Sequence, residues 1–169
     1  MKAESLDRAA RRIGRAAEAA GTLAALAVLA LVAVMSANVL LRYGFSLGSV
    51  WAQELEWHLM SPIALFGMVW ALKRGEHVRV DVLYDRFPPR AKAVADIIAG
   101  LLGLVIGAAI VWLSWRYVGQ SFANSEGSAN PGGIPYRWLL KGLIPAGFLL
   151  LALQYVAEIL AAAARYARA

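Results

Sequence analysis

Hydrophobic residues fall into four long runs along the chain, and shorter polar segments separate these runs. A helix needs about 20 apolar residues to cross a hydrocarbon layer roughly 30 Å thick. The pattern therefore predicts an all-α integral membrane protein with four transmembrane helices and one membrane domain, residues 1–169. We place the helices at about 19–41, 51–72, 96–116 and 142–164.

The first two runs need separate treatment. The first follows a basic start, as the apolar part of a signal peptide does, but its 23 uncharged residues, Ala19–Leu41, are too many for one. We therefore expect a retained span. The second has only 14 strongly apolar residues, Leu59–Leu72, which reach about 21 Å at 1.5 Å per residue. This helix must include the segment SVWAQELEWH before it or tilt against a partner.

Lysine and arginine are distributed unevenly over the predicted loops. Of the 17 such residues, thirteen lie in the amino-terminal tail, the loop at 73–95 and the carboxy-terminal tail. Because positively charged segments stay in the cytoplasm, both termini and loop 73–95 are expected there, with loop 117–141 in the periplasm. The net charge of +6 then reflects topology, and we expect no binding to nucleic acid.

The composition also limits the chemistry. The chain has no cysteine, which excludes disulfides, thiolate nucleophiles and cysteine metal sites. The two histidines, His58 and His77, would lie about 28 Å apart along a helix, too far to ligate one haem iron. No nucleophile or ligand cluster is identifiable, so we expect no enzyme, no metal and no cofactor.

Three polar residues, Glu54, Glu56 and His58, open the second span. Ionisable groups in a membrane segment are candidates for a proton relay or an ion site. We favour the alternative that they lie at the periplasmic membrane surface, partly in water, where Glu54 or Glu56 pairs with Arg42. The sequence does not say which carboxylate faces Arg42.

His77 and Asp81 form a second polar pair, in the loop after the second span. They share a face if the segment is helical, but the alternation in HVRVDVL fits an extended strip equally well. With no nucleophile nearby, we expect this segment to be an interfacial connection.

Small residues recur at a spacing of four in two spans, as Gly103 and Gly107 in the third and Gly67 and Ala71 in the second. Such pairs let helices approach closely. Packing within this bundle and docking of another membrane protein explain them equally well.

Three blocks resemble the small membrane subunit, DctQ type, of TRAP (tripartite ATP-independent periplasmic) transporters. They are NVLLRYGFSLGSVWAQELEWHL, GEHVRVDVLYDRFPPR and GGIPYRWLLKGLIPAGFLLLALQ, in that order along most of the chain. The matching positions are Asn38, Arg42, Tyr43, Trp51, Glu54, His77, Val80, Asp81, Ile134 and Pro135.

The resemblance implies a subunit of the bacterial inner membrane that acts with three partners: a large membrane subunit, a periplasmic substrate-binding protein and the lipid bilayer. Such systems import organic acids, typically carboxylates, with sodium, and the small subunit has no catalytic residue. Six residues are then candidates for structural or interface roles: Arg42, Glu54, Glu56, His77, Asp81 and Arg137. The alternative is a self-contained four-span transporter or exporter, which would need a carboxylate at the centre of the membrane.

Overall fold

A computed structural model describes residues 2–76, 84 and 86–168, with side chains from residue 12 onward in those ranges. The described part contains four long helices, α1 (Lys2–Phe45), α2 (Val50–Arg74), α3 (Pro89–Ala123) and α4 (Arg137–Arg168). All four contain segments long and apolar enough to cross a membrane. The prediction of an all-α membrane protein with four spanning helices is confirmed, and each helix contains one predicted apolar run.

Helix α2 includes the polar segment that precedes its short apolar run. It begins at Val50 and has 25 residues, about 37 Å at 1.5 Å per residue, which is enough to cross the hydrocarbon layer. The Ser49 hydroxyl caps its start by accepting a hydrogen bond from the Ala52 N–H at 3.2 Å. Gly75 ends the helix in the left-handed conformation, at φ 74°. The recruitment of the preceding polar segment is therefore observed.

The helices pair as two hairpins. Helix α1 packs along α2, α3 packs along α4, and the hairpins meet where α2 and, to a smaller extent, α1 contact α4. One end of the bundle holds the connections 46–49 and 124–136, and we call it the loop end. The other holds the start of α1, the end of α4 and the α2–α3 connection. We call it the basic end because most lysines and arginines belong to these segments.

Glycines on α3 allow the close approach of α4. A Cβ atom on Gly103 would lie 2.3 Å from the Tyr155 ring, and one on Gly100 would lie 2.6 Å from Ile159. Gly107 faces α4 as well. The space beside the small-residue pair of the third span is thus occupied by α4 of the same chain. Small residues make the helix surface flat, and this allows close van der Waals contact between the two helices.

One face of α2, in contrast, remains uncovered. A Cβ atom added to Gly67 would meet nothing within 4 Å. Trp57 and Met60 are each 58% exposed, and Ala64 is exposed as well. With Ala71 these residues follow one another at spacings of three and four, so they form a single stripe along the helix. We call this stripe the open face of α2.

Candidate functional site

The loop end contains a buried carboxylate that is bound by the α3–α4 connection. Glu54, in the second turn of α2, is only 1% exposed. Its Oε1 accepts hydrogen bonds from the Ser128 hydroxyl and, at 3.1 Å, from Asn130 Nδ2, while Oε2 accepts one from the Ile134 N–H at 2.8 Å. The Arg137 guanidinium approaches Oε1 at 3.9 Å. We call this arrangement the Glu54 site.

Local turn chemistry brings the connection onto Glu54. The Ser128 hydroxyl accepts a hydrogen bond from the Asn130 N–H at 3.0 Å, which fixes a tight turn. A Cβ atom on Gly133 would lie 2.6 Å from Glu54 Oε2, so only glycine allows the backbone to come this close. Gly132 has a φ of 78°, which also favours glycine. The sequence ANPGGIP therefore encodes a loop that can wrap a carboxylate.

A second ion pair ties the connection to α4. The Lys141 ammonium donates a hydrogen bond to Glu126 and lies 4.0 Å from the centre of the Tyr117 ring. The Arg137 N–H donates to the Glu126 carbonyl oxygen at 2.9 Å. The bond from Lys141 lowers the pKa of Glu126 below its usual value near 4.5. Both ends of the connection are therefore held to the helices.

The structure corrects the expected pairing of Arg42. Glu54 is bound by the loop and is not partly in water, and Glu56 accepts a hydrogen bond from Asn38 Nδ2 at 3.0 Å. Arg42 is exposed near the end of α1, and neither carboxylate is its partner among the described residues. The cation beside Glu54 is instead Arg137, which comes from α4.

Other candidate residues lie elsewhere or are not covered. His58 shares an α2 face with Glu54, and its Nδ1 lies 2.6 Å from the Glu54 backbone oxygen. His77 and Asp81 lie outside the described residues. In the ranges that the structure covers, no three His, Cys, Asp or Glu side chains come together in a way that could hold a metal ion. The Glu54 site can orient a loop, because both carboxylate oxygens accept hydrogen bonds from residues of the α3–α4 connection.

The basic end has an ionic cluster that the sequence did not indicate. Glu18 accepts hydrogen bonds from Lys73 Nζ at 2.7 Å and from Trp70 Nε1 at 3.2 Å, and Arg74 lies at 3.4 Å. Lys73 also donates to the Gly14 carbonyl oxygen at 2.7 Å. These contacts join α1 to α2 over more than 50 residues of sequence. We call them the Glu18 cluster.

A similar contact joins α3 to α4 at the same end. Asp96 accepts hydrogen bonds from Arg165 at 2.8 Å and from the Tyr84 hydroxyl at 2.9 Å. Each hairpin is therefore closed at the basic end by a carboxylate and a basic side chain.

Four apolar helices, a polar network at each end and large exposed apolar side chains between them define a small multi-pass membrane protein. Residues 31–165 match the profile of the family described as "Tripartite ATP-independent periplasmic transporters, DctQ component". The chain belongs to this family, and is a small subunit of a TRAP transporter. The resemblance found in the sequence is confirmed.

Named relatives agree with this assignment. A putative TRAP transporter small permease protein of Haemophilus influenzae is 31% identical over 116 residues, which are 69% of this chain and 70% of the relative. The ectoine TRAP transporter small permease protein TeaB of Halomonas elongata is 25% identical over 71% of this chain and 61% of its own length. The isethionate TRAP transporter permease protein DctMQ of Oleidesulfovibrio alaskensis is 25% identical over 66% of this chain. That match covers 17% of the DctMQ protein, so the chain spans a small part of it.

Proposed function

We propose that this small subunit is the static scaffold partner of a large membrane subunit in a sodium-driven importer of organic acids. A periplasmic binding protein delivers the solute, and the large subunit carries the solute and sodium sites. The complex lies in the bacterial inner membrane, with the basic end in the cytoplasm and the loop end in the periplasm. The uneven distribution of lysine and arginine supports this orientation.

The open face of α2 is the observation that carries the proposal. Within lipid, helices associate through close packing, and small residues allow their backbones to approach. Gly100 and Gly103 of α3 already lie against Ile159 and Tyr155 of α4, whereas Gly67 of α2 has open space in front of it. We therefore assign the contact with the large subunit to the open face of α2.

The arrangement of polar and apolar side chains supports the assignment of transport to another subunit. A groove of about 370 Å³ lies on the outer surface between α3 and α4, and apolar side chains line it, namely Ala108, Val111, Trp112, Trp115, Leu149 and Ala152. The buried carboxylate of Glu54 is engaged by loop donors. A self-contained transporter needs an ionisable group that a solute or ion can reach, and Glu54 is not such a group.

Co-purification with the large subunit tests the open face. Gly67→Leu places a side chain where an added Cβ atom meets nothing within 4 Å, so we expect the chain's own fold to remain intact while the yield of co-purified large subunit falls. A loss of roughly tenfold corresponds to about 1.4 kcal/mol of association energy. The matched control is Ala109→Leu, at an exposed position of α3, which should leave the yield unchanged. Equal yields from both variants would refute the assignment.

The proposed orientation has a direct test because the chain has no cysteine. A single cysteine introduced as Ser125→Cys should react with a membrane-impermeant maleimide added to the periplasmic side. A cysteine introduced as Arg90→Cys should react only after the membrane is permeabilised. The reverse pattern would contradict the orientation.

A further inference from the structure

Tyr136, at the periplasmic end of the proposed orientation, has an unusual backbone conformation. Its φ is 62°, in the left-handed region that large side chains rarely adopt. Its side chain is nevertheless 63% exposed. The ring therefore gains little from packing inside the chain, and internal contacts of the side chain do not explain why a tyrosine occupies a position suited to glycine.

Hydrogen bonds on both sides hold Tyr136 in this conformation. Two residues earlier, the Ile134 N–H donates to Glu54 at 2.8 Å. At the next residue, the Arg137 N–H donates to the Glu126 carbonyl oxygen at 2.9 Å, and the Tyr136 carbonyl accepts from Leu139 at 3.0 Å. Strained backbone of this kind persists where the surrounding structure fixes it, and it is concentrated at functional positions.

The surface around Tyr136 has the composition of a protein contact. The exposed residues of the connection are small, neutral or hydrogen-bonding, namely Asn124, Ser125, Gly127, Ala129, Asn130, Pro131, Gly132 and Pro135. Tyrosine surrounded by Ser, Gly and Asn gives rigid aromatic contact area together with adaptable hydrogen bonds. A tyrosine that only anchors a protein in lipid headgroups needs no fixed backbone, since the headgroup layer is fluid.

We propose that residues 124–136 form a preorganised docking surface for the soluble binding protein, with Tyr136 as its anchor and Glu54 as the residue that positions it. This inference rests on the proposed function, which supplies the partner. Rigid presentation of a loop avoids the entropic cost of ordering it on binding. The buried Glu54 site holds the connection rigid, and the exposed Tyr136 ring contacts the binding protein.

The test measures the affinity of the transporter's own purified binding protein for the complex of both membrane subunits in nanodiscs. Tyr136→Gly removes the ring and relieves the backbone strain. We expect at least tenfold weaker binding, as for an aromatic anchor in an interface. The unfolding temperature of the complex should stay the same or rise. Tyr136→Asn, which also tolerates the left-handed conformation, should weaken binding equally.

Tyr43→Ala is the matched control. Tyr43 is 84% exposed near the loop end of α1, in ordinary helical conformation. Its replacement should leave the affinity for the binding protein unchanged. If Tyr136→Gly also leaves the affinity unchanged, or if both Tyr136 variants lower the unfolding temperature, the proposed anchor is wrong and the ring has an internal or lipid-facing role.

Glu54→Gln tests the positioning role by a separate readout. The amide group keeps the size of the side chain but places an NH₂ group against donors of the loop. We expect faster hydrogen exchange at the Ile134 amide and weaker binding of the binding protein, with unchanged co-purification of the large subunit. If hydrogen exchange at the Ile134 amide and the affinity for the binding protein are both unchanged, Glu54 does not position the docking surface. If the wild-type chain fails to bind any large subunit, the proposed function itself is wrong. That result is distinct from a failure of the Tyr136 variants or of Glu54→Gln, which would contradict only the docking surface.

Discussion

The two ends of the bundle each use a carboxylate to join distant parts of the chain, but they do so in different environments. Glu54 at the loop end is 1% exposed and is bound mainly by neutral donors. The Glu18 side chain at the basic end is 42% exposed and is bound by Lys73 and Arg74. Removing a partner from a buried network leaves other groups unsatisfied, whereas exposed ion pairs are screened by water and salt. The comparison indicates that the conformation of the loop end depends strongly on its carboxylate, whereas the basic end can lose its carboxylate at a smaller cost in stability.

The largest effect is expected when the buried carboxylate is removed. Glu54→Ala leaves the Ser128 and Asn130 side chains and the Ile134 N–H without their shared acceptor, and it removes the carboxylate that pairs with Arg137 at 3.9 Å. We expect the unfolding temperature in nanodiscs to fall by about 5–10 °C. The control is Glu56→Ala, which loses the single bond from Asn38 and should have a clearly smaller effect. Similar shifts for both variants would mean that the loop does not depend on Glu54.

A smaller effect is expected at the basic end. Glu18→Ala removes an acceptor of Lys73 and Trp70, but Lys73 keeps its bond to the Gly14 carbonyl oxygen, and water can take the place of the half-exposed Glu18 side chain. We expect the unfolding temperature to fall by at most about 2 °C, and the difference from wild type should vanish in 1 M salt. The Glu54→Ala difference should persist in the same salt. A salt-insensitive loss on Glu18→Ala would show that the Glu18 cluster is effectively buried, and the contrast between the two ends would disappear.

The smallest effect is expected from pH. Because Lys141 lowers the pKa of Glu126 in the folded protein, the stabilising contribution of this carboxylate is present above its unfolded pKa near 4.5. That contribution is lost as pH falls through the lower, folded pKa. The unfolding temperature of wild type should therefore decrease more between pH 6 and pH 3 than that of Glu126→Gln. Parallel curves for the two proteins would contradict the ion pair with Lys141.

Sequence alone predicted the helices because a long apolar run in a membrane protein can hardly form anything other than a spanning helix. It also predicted that α2 begins before Leu59, since a shorter helix could not cross the hydrocarbon layer. These inferences depend on length and periodicity, which are local properties of the chain. The structure confirmed the four spanning helices for this reason.

The partners of the polar residues could not be predicted in the same way. Glu54 was expected to be partly in water and near Arg42, because Arg42 is close in sequence. Its partners come from residues 128–137, more than 70 positions later, and a glycine-rich loop has no periodicity that indicates its path. The asparagine, proline and glycines of ANPGGIP are typical of turns, but turn-forming residues do not indicate which side chain a loop contacts. The Glu18 cluster was missed because a single glutamate among alanines gives no signal.

The most direct test of the proposed scaffold role is sodium-dependent uptake of labelled organic acids by proteoliposomes. One set should contain this chain alone, and the other should contain this chain with the large subunit, with the binding protein added outside. We predict uptake of at least one acid by the complete system and none above the empty-liposome background by this chain alone. Uptake by this chain alone would contradict the account, because it would place a solute pathway inside the four helices.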